Sequence, residues 1–364
     1  MKELVTMDAE TLMETPMEKI QFVVDKILPQ GLHVLAGSPK IGKSWLSLWM
    51  CLQIAKGEPV WGYKSNQCDV LYLCLEDGFS RIQDRLFKIT DEATDRLYFT
   101  TVCDTIGNGL EDQIKSFLEE HPATKLVVID TLQKVREDTN GANMYANDYK
   151  EINALKNLAD ENKLAIILVH HLRKCPDDDP INMISGSTGI SGSADTNFIL
   201  VKSKRSETSA KFHCIGRDIE QREFNLEFNK STFVWETSNL VDIDEVRLDD
   251  TIISVIKHIH KVGSFTGTAS DLNKIIGEKT PSLLKKKIVK YIDDIRENGI
   301  EYQERRTFER REFSLIYDGV TPMTLKMDIV PYQNVVSVAS VVSAPTNDWQ
   351  VINLDPSQVR DVSA

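Results

Sequence analysis

Eight consecutive residues hold the most specific chemistry in this 364-residue chain. Gly37-Ser38-Pro39-Lys40-Ile41-Gly42-Lys43-Ser44 satisfies the spacing G-x-x-x-x-G-K-[ST]. The glycines let the backbone curl until its N–H groups point inward at phosphate oxygens. A helix starting near Lys43 turns its positive end toward the same anion. The Lys43 ammonium then meets the β- and γ-phosphates, and the Ser44 hydroxyl can ligate Mg²⁺. No N-K-x-D guanine signature follows the loop, which favours ATP over GTP.

Three further groups sit where such a loop could use them. The apolar run 126–129 ends in Asp130, which can hold Mg²⁺ beside the loop or simply cap the next turn. The run 70–75 ends in Glu76-Asp77-Gly78. Glu76 could polarise an attacking water as general base, or the two acids could be a solvated loop pair. The run 165–169 ends in His170-His171. Adjacent strand residues face opposite ways, so one histidine at most senses a phosphate at this site. A satisfied edge histidine is the competing reading, and a zinc site lacks partners at suitable spacing.

The elements that must position these groups follow from periodicity. Short apolar runs at 32–36, 70–75, 126–129, 165–169 and 198–201 alternate with helical patterns at 45–56, 80–88, 110–119 and 149–162. That alternation predicts βαβ units, a mostly parallel sheet and an α/β fold. Residues 211–215, 223–228 and 232–236 read as antiparallel strands, and 241–250 as an acidic linker. Residues 251–260, a short helix that Ser270 could cap, a longer helix over 282–298 after Pro281, and strands at 300–302 and 311–317 follow a winged-helix order. The expected organisation is an arm over 1–17, a core over 18–240, a linker over 241–250, a winged helix over 251–320 and a tail over 321–364. A hydrophobic segment at 335–342 opens the tail.

Composition limits the partners. The formal charge is −12. Residues 1–250 carry −13 and residues 251–320 carry +3, so an acidic body precedes a mildly basic module. No apolar run approaches the ~20 residues that span a bilayer, and the acidic first 20 residues do not read as a signal peptide. The six cysteines lack any C-x-x-C spacing, which points to a reducing cytoplasm.

Taken together, the motifs resemble those of the RecA-like ATPases, in particular the hexameric replicative helicases of the DnaB and RepA type. Ile129-Asp130-Thr131-Leu132-Gln133 is similar to the family's I-D-Y-L-Q segment. Val169-His170-His171-Leu172-Arg173-Lys174 is similar to the His-His form of its strand-end motif. Ser185-Gly186-Ser187, Ala194-Asp195 and the entry Ile27-Leu28-Pro29-Gln30-Gly31-Leu32 extend the match over about residues 18–238. The resemblance implies a RecA-like P-loop core and a homo-oligomeric ring, a hexamer, that moves on single-stranded DNA using ATP and Mg²⁺. It implies replication of a plasmid, phage or mobile element, with an origin-binding or primase protein as partner.

It also implies roles: Glu76 as the base, His171 as the γ-phosphate sensor, and Ser44 and Asp130 at the metal. An arginine finger comes from the neighbouring subunit. Arg217, in Ile215-Gly216-Arg217-Asp218, is the first candidate, with Arg85 and Arg222 as alternatives. Loops after two strand ends would face the DNA, with Lys134, Arg136, Arg173 and Lys174 as basic contacts, opposed by Asp177, Asp178 and Asp179. Lys285, Lys286 and Lys287 are phosphate contacts in the C-terminal module or a solvated helix face. The rival reading is a DNA-dependent ATPase that mediates recombination, or a nucleotide-switched regulator, neither of which unwinds.

Overall fold

The apolar runs become strands because a parallel sheet covered on both faces buries consecutive residues. The computed structural model describes residues 4–137, 144–173, 177, 179–202, 204, 207–237, 248–306 and 311–319. A short helix α1 (Ala9–Glu14), capped by Asp8, and a hairpin of β1 (Phe22–Val24) and β2 (Leu28–Pro29) lead in. The main elements follow: β3 (Gly31–Gly37), α2 (Lys43–Lys56), β4 (Asp69–Cys74), α3 (Phe79–Ile89), β5 (Leu97–Thr100), α4 (Leu110–Glu120) and β6 (Thr124–Asp130). Then come α5 (Met144–Asn162), β7 (Ala165–His171), α6 (Thr188–Ser193), β8 (Thr196–Val201), β9 (Ser209–Gly216), β10 (Arg222–Asn229) and β11 (Val234–Thr237).

Among the described residues these strands form one nine-stranded sheet in the order β11-β10-β9-β8-β3-β7-β6-β4-β5. From β8 to β5 every pairing is parallel, and β9 to β11 add an antiparallel edge. The loop-bearing strand β3 is separated from the Asp130-bearing strand β6 by β7 alone. This is the expected α/β architecture with a mostly parallel central sheet. Alternation splits the core in two. Tyr72, Cys74, Val128, Ile167 and Val169 pack with α2 on one face. Leu71, Leu73, Val127, Ile129, Ile166 and Leu168 pack with α4 and α5 on the other.

A second compact unit begins at Glu245. It contains α7 (Asp250–Val262), β12 (Ser264–Gly267), α8 (Ala269–Ile276), α9 (Pro281–Lys290), α10 (Ile292–Glu297), β13 (Ile300–Arg306) and β14 (Arg311–Tyr317). The three strands form an antiparallel sheet in the order β12-β14-β13 over a core that includes Ile252, Ile256, Leu284, Ile288, Phe313 and Leu315. Two local expectations need correction, and one strand was not expected. Thr268, not Ser270, caps α8, through a reciprocal capping box with Asp271. The single helix expected over 282–298 is two helices, α9 and α10, joined at Tyr291. The strand β12 has no apolar run to announce it. Residues 241–247 of the linker and the tail 321–364, with its segment 335–342, lie outside the described residues.

One glycine tests how tightly the start of β3 is built. Gly31 has φ +122°, and a Cβ there would lie 2.5 Å from the buried Asp195 carboxylate. Gly31→Ala should therefore cost at least about 2 kcal/mol, from positive φ and the displaced carboxylate together. Gly192→Ala, in α6 with nothing within 4 Å of the added atom, should be neutral or slightly stabilising. Denaturant midpoints of the two variants measure the difference.

Candidate active site

The chain after β3 turns through Ser38 and Pro39, takes a left-handed residue at Lys40 (φ 63°) and another at Gly42 (φ 111°), then enters α2 at Lys43. Glycine is needed at Gly42 for a second reason. A Cβ there would sit 3.1 Å from the Trp235 ring, whose indole N–H donates to the Gly42 carbonyl at 3.3 Å. The hairpin of β10 and β11 is thereby fastened onto the loop. Trp45, the next residue after Ser44, stacks on Phe233 of the same hairpin with ring centroids 4.8 Å apart.

Lys43 is only 7% exposed. Its ammonium curls back over the loop and donates to the Gly37 carbonyl at 2.7 Å and the Ser38 carbonyl at 3.2 Å. Burial pushes its pKa down to about 8, against the opposing pull of Asp130 and Glu76. The two carboxylates thus lie near enough to act on it. Asp130 is buried and accepts from the Tyr72 hydroxyl at 2.9 Å and from Ser44. Desolvation raises its pKa, and the nearby Glu76 charge adds to that.

Register explains why these groups meet. Tyr72, Cys74 and Asp130 belong to the α2 face, and Cys74 lies opposite Asp130 in the parallel ladder. Glu76 follows just beyond the strand, exposed, and accepts from the Thr131 hydroxyl at 3.2 Å. On β7 the same alternation puts His171, not His170, on the α2 face, beside Gly37. His171 interacts electrostatically with Lys43, Glu76 and Asp130, and its pKa is lowered, chiefly by burial. His170 faces the other way, touches the Ser185 carbonyl at 3.0 Å and is pushed down to about 4 by burial.

The Ser44 hydroxyl and the Asp130 carboxylate form a hard oxygen donor pair, joined to each other in this structure. That donor set suits Mg²⁺, which keeps most of its ligands as water and phosphate oxygen.

The arginine candidates separate clearly. Arg85 is bound to Asp77 at 2.5 Å and lies over the Trp45 ring. Arg222 donates to the Tyr63 hydroxyl at 2.6 Å and pairs with Glu220 at 2.8 Å. Arg217 lies at the opposite end of the sheet from the phosphate loop. Gly216 pairs with Thr196, and Thr196 pairs with His33, four residues before Gly37 along β3. The offset is roughly 13 Å along the strands. The Arg217 guanidinium is largely exposed and makes long contacts with Asp195, 3.5 Å, and the Gly192 carbonyl, 3.4 Å.

Several expected DNA contacts are spoken for inside the chain. Arg136 is held by Asp148 and Glu151, and Arg173 by Asp177 at 3.0 Å. Lys285 is buried against Glu304 at 2.7 Å, and Lys287 bridges Asp249 and Glu278. Carboxylates thus pair the two outer members of 285–287 within the chain, so the row is not simply a solvated helix face. Lys134 is exposed on the 3-10 turn Leu132–Lys134, and Lys286 is half-buried. Lys174 and Asp178 lie outside the described residues. Sequence reasoning missed Tyr72, Thr131, Trp45 and Trp235. For Tyr72 a signal existed, as its alternation with Cys74 points it at the face that Asp130 shares.

Comparison with known families finds that residues 2–177 match the AAA domain. No curated protein matches the chain. Among solved structures, an ATPase domain is similar at 16% identity, with a TM-score of 0.49 over 58% of this chain and 85% of its own. A DnaB-like replicative helicase, solved with attention to its interactions with primase, is similar at 16% identity and a TM-score of 0.47 over 57% of this chain and 58% of its own. No helix among the described residues is long and apolar enough to cross a membrane. The phosphate loop between β3 and α2, the mostly parallel strand order and the match of residues 2–177 make this core similar to the nucleotide-binding AAA domain.

Proposed function

We propose that the chain is an ATP-dependent, ring-forming helicase or translocase on single-stranded DNA, of the DnaB and RepA type, serving replication of a plasmid, phage or mobile element. The observation that carries this reading is a division within the fold. Lys43, Ser44, Asp130, Glu76 and His171 converge at one end of the sheet, and the exposed Arg217 ends at the other. One chain therefore cannot bring Arg217 to its own phosphate loop, and a neighbour's Arg217 would complete the site in a closed ring.

Each residue then has a task. The loop amides and Lys43 bind the β- and γ-phosphates, and burial makes that charge contact strong. Ser44 and, directly or through water, Asp130 would hold Mg²⁺, which would supply positive charge to offset that of the phosphates. Glu76, oriented by Thr131, takes a proton from water as the water oxygen bonds to the γ-phosphorus. The bond to the β–γ bridging oxygen breaks, and ADP leaves with its electron pair. His171 donates to the γ-phosphate and registers its loss. The neighbour's Arg217 stabilises transition-state charge. The described unit from 248 to 319 is read as a winged helix that grips duplex DNA or an origin-binding or primase protein.

One observation favours a second reading. Arg136, Arg173, Lys285 and Lys287 are all ion-paired internally, so few of the expected phosphate contacts are free. This leaves room for an ATPase that assembles on DNA without unwinding it, as a recombination mediator does, or for a nucleotide-switched regulator. Strand displacement on a forked substrate separates the two: the helicase reading expects ATP-dependent unwinding, the mediator reading none.

Lys43→Ala should lose nucleotide affinity by at least about tenfold, because a buried phosphate charge loses its partner. Glu76→Gln should bind ATP normally and lose at least about a hundredfold in turnover. Equilibrium titration and steady-state hydrolysis check both, and wild-type turnover by Glu76→Gln would remove the base assignment. Arg217→Ala should bind ATP but hydrolyse it slowly, and mixing it with Lys43→Ala subunits should restore part of the rate. An intact loop then meets an intact finger at some interfaces. Mixed rings that form without any rescue would contradict the in-trans role.

A further inference from the structure

Asp148, on α5, is fully buried, and no step above uses it. A buried carboxylate persists only when its oxygens are well satisfied. One oxygen accepts from the Arg136 guanidinium. The other accepts from the Ser187 backbone N–H at 3.0 Å, and the Ser187 hydroxyl adds a further bond. Arg136 also donates to Glu151 at 2.6 Å. These bonds hold the Asp148 carboxyl below its usual range in spite of burial.

Its partners come from two different segments. Arg136 follows β6 and the 3-10 turn after Asp130 and Thr131. Ser187 follows residues that are pinned to the end of β7. The Ser185 N–H donates to the His171 carbonyl at 3.0 Å, the Arg173 N–H to the Met183 carbonyl at 2.8 Å, and the His170 ring touches the Ser185 carbonyl. Gly186, at φ +92°, brings the chain close over this carboxylate, since a Cβ there would lie 3.5 Å from the Asp148 oxygen and 2.6 Å from Ile190. The strand ends bearing Asp130 and His171 are thus each continued by a segment that ends on one carboxylate.

We infer that Asp148 is a positioning residue that locks residues 131–137 and 183–187 into one body, so that a change at either strand end moves both segments together. The inference rests on the reading of this site as an ATPase. It makes Arg136 a strut between two strand-end segments instead of a contact for a polymer. Its loss would separate the two responses without touching the groups that bind nucleotide.

Hydrogen exchange of the full chain, with and without Mg²⁺ and a non-hydrolysable ATP analogue, reads this directly. In the wild type, the analogue should slow exchange in both 131–137 and 183–187. Asp148→Asn can still accept from Ser187 but cannot pair with Arg136. It should bind the analogue with unchanged affinity, yet the two segments should no longer respond together. Arg136→Gln should reproduce this, and the double variant should be no worse than either single one, because both remove one interaction. Joint slowing retained in both single variants would overturn the proposal, as would a wild type that binds the analogue with no change in either segment. A wild type that fails to bind the analogue at all would overturn the ATPase reading and this inference with it.

Discussion

A single ammonium taken out of water organises the nucleotide end of this core. Lys43 can be buried because the loop curls its own carbonyls, those of Gly37 and Ser38, around the cation. That curl needs left-handed backbone at Lys40 and Gly42, and a glycine where Trp235 closes over the turn. The Lys43 charge in turn moderates the cost of bringing Asp130 and Glu76 near each other. Remove the cation, and two carboxylates and a desolvated histidine face one another with nothing to balance them. Two carboxylates outweigh the one ammonium, so an anionic ligand would be accepted best together with a divalent cation.

The parallel sheet makes this convergence possible. Its strands deliver their last residues to one edge, and period-two alternation decides which of those residues face α2. The same geometry sends the end of β9, which runs against β8, to the far edge with Arg217. Within the acidic body, Arg136 and Lys156 meet carboxylates that are buried in the fold. Lys156, Arg217 and the Leu32 N–H all converge on Asp195, so the far edge has a buried anion as its organiser.

What was legible in the sequence was whatever chain-local pattern controls. The loop spacing, the apolar runs that become β3, β4, β6, β7 and β8, and the strand-end positions of Glu76, Asp130 and His171 all follow from neighbours in sequence. The choice of His171 over His170 follows from alternation plus family resemblance, and the ladder beside Gly37 agrees with it. The parallel edge strand β5 was not legible, as its four residues are only half-buried. Nor were the partners of the basic residues. Arg136 meets Asp148 and Glu151, and Lys287 meets Asp249 and Glu278, across separations that only the folded chain closes. A run of three lysines reads as a phosphate patch until its carboxylates are found. Trp235 is hidden for the same reason: its bond to Gly42 joins the last strand of the sheet to the first turn of the site.

The central claim is that the buried Lys43 ammonium, its pKa lowered by desolvation, is the group that meets phosphate charge. Its pKa, about 8 in the free chain, must rise when a phosphate replaces the loop carbonyls as its partner. Binding near about pH 8.5 must then take up protons, since the free lysine is largely neutral there and the bound one is charged. Calorimetric titration of ATP with Mg²⁺, repeated in buffers of different ionisation enthalpy, measures that uptake. The account predicts net proton uptake in the wild type and none in Lys43→Met at concentrations where it still binds. Binding with an enthalpy independent of the buffer in the wild type would contradict it.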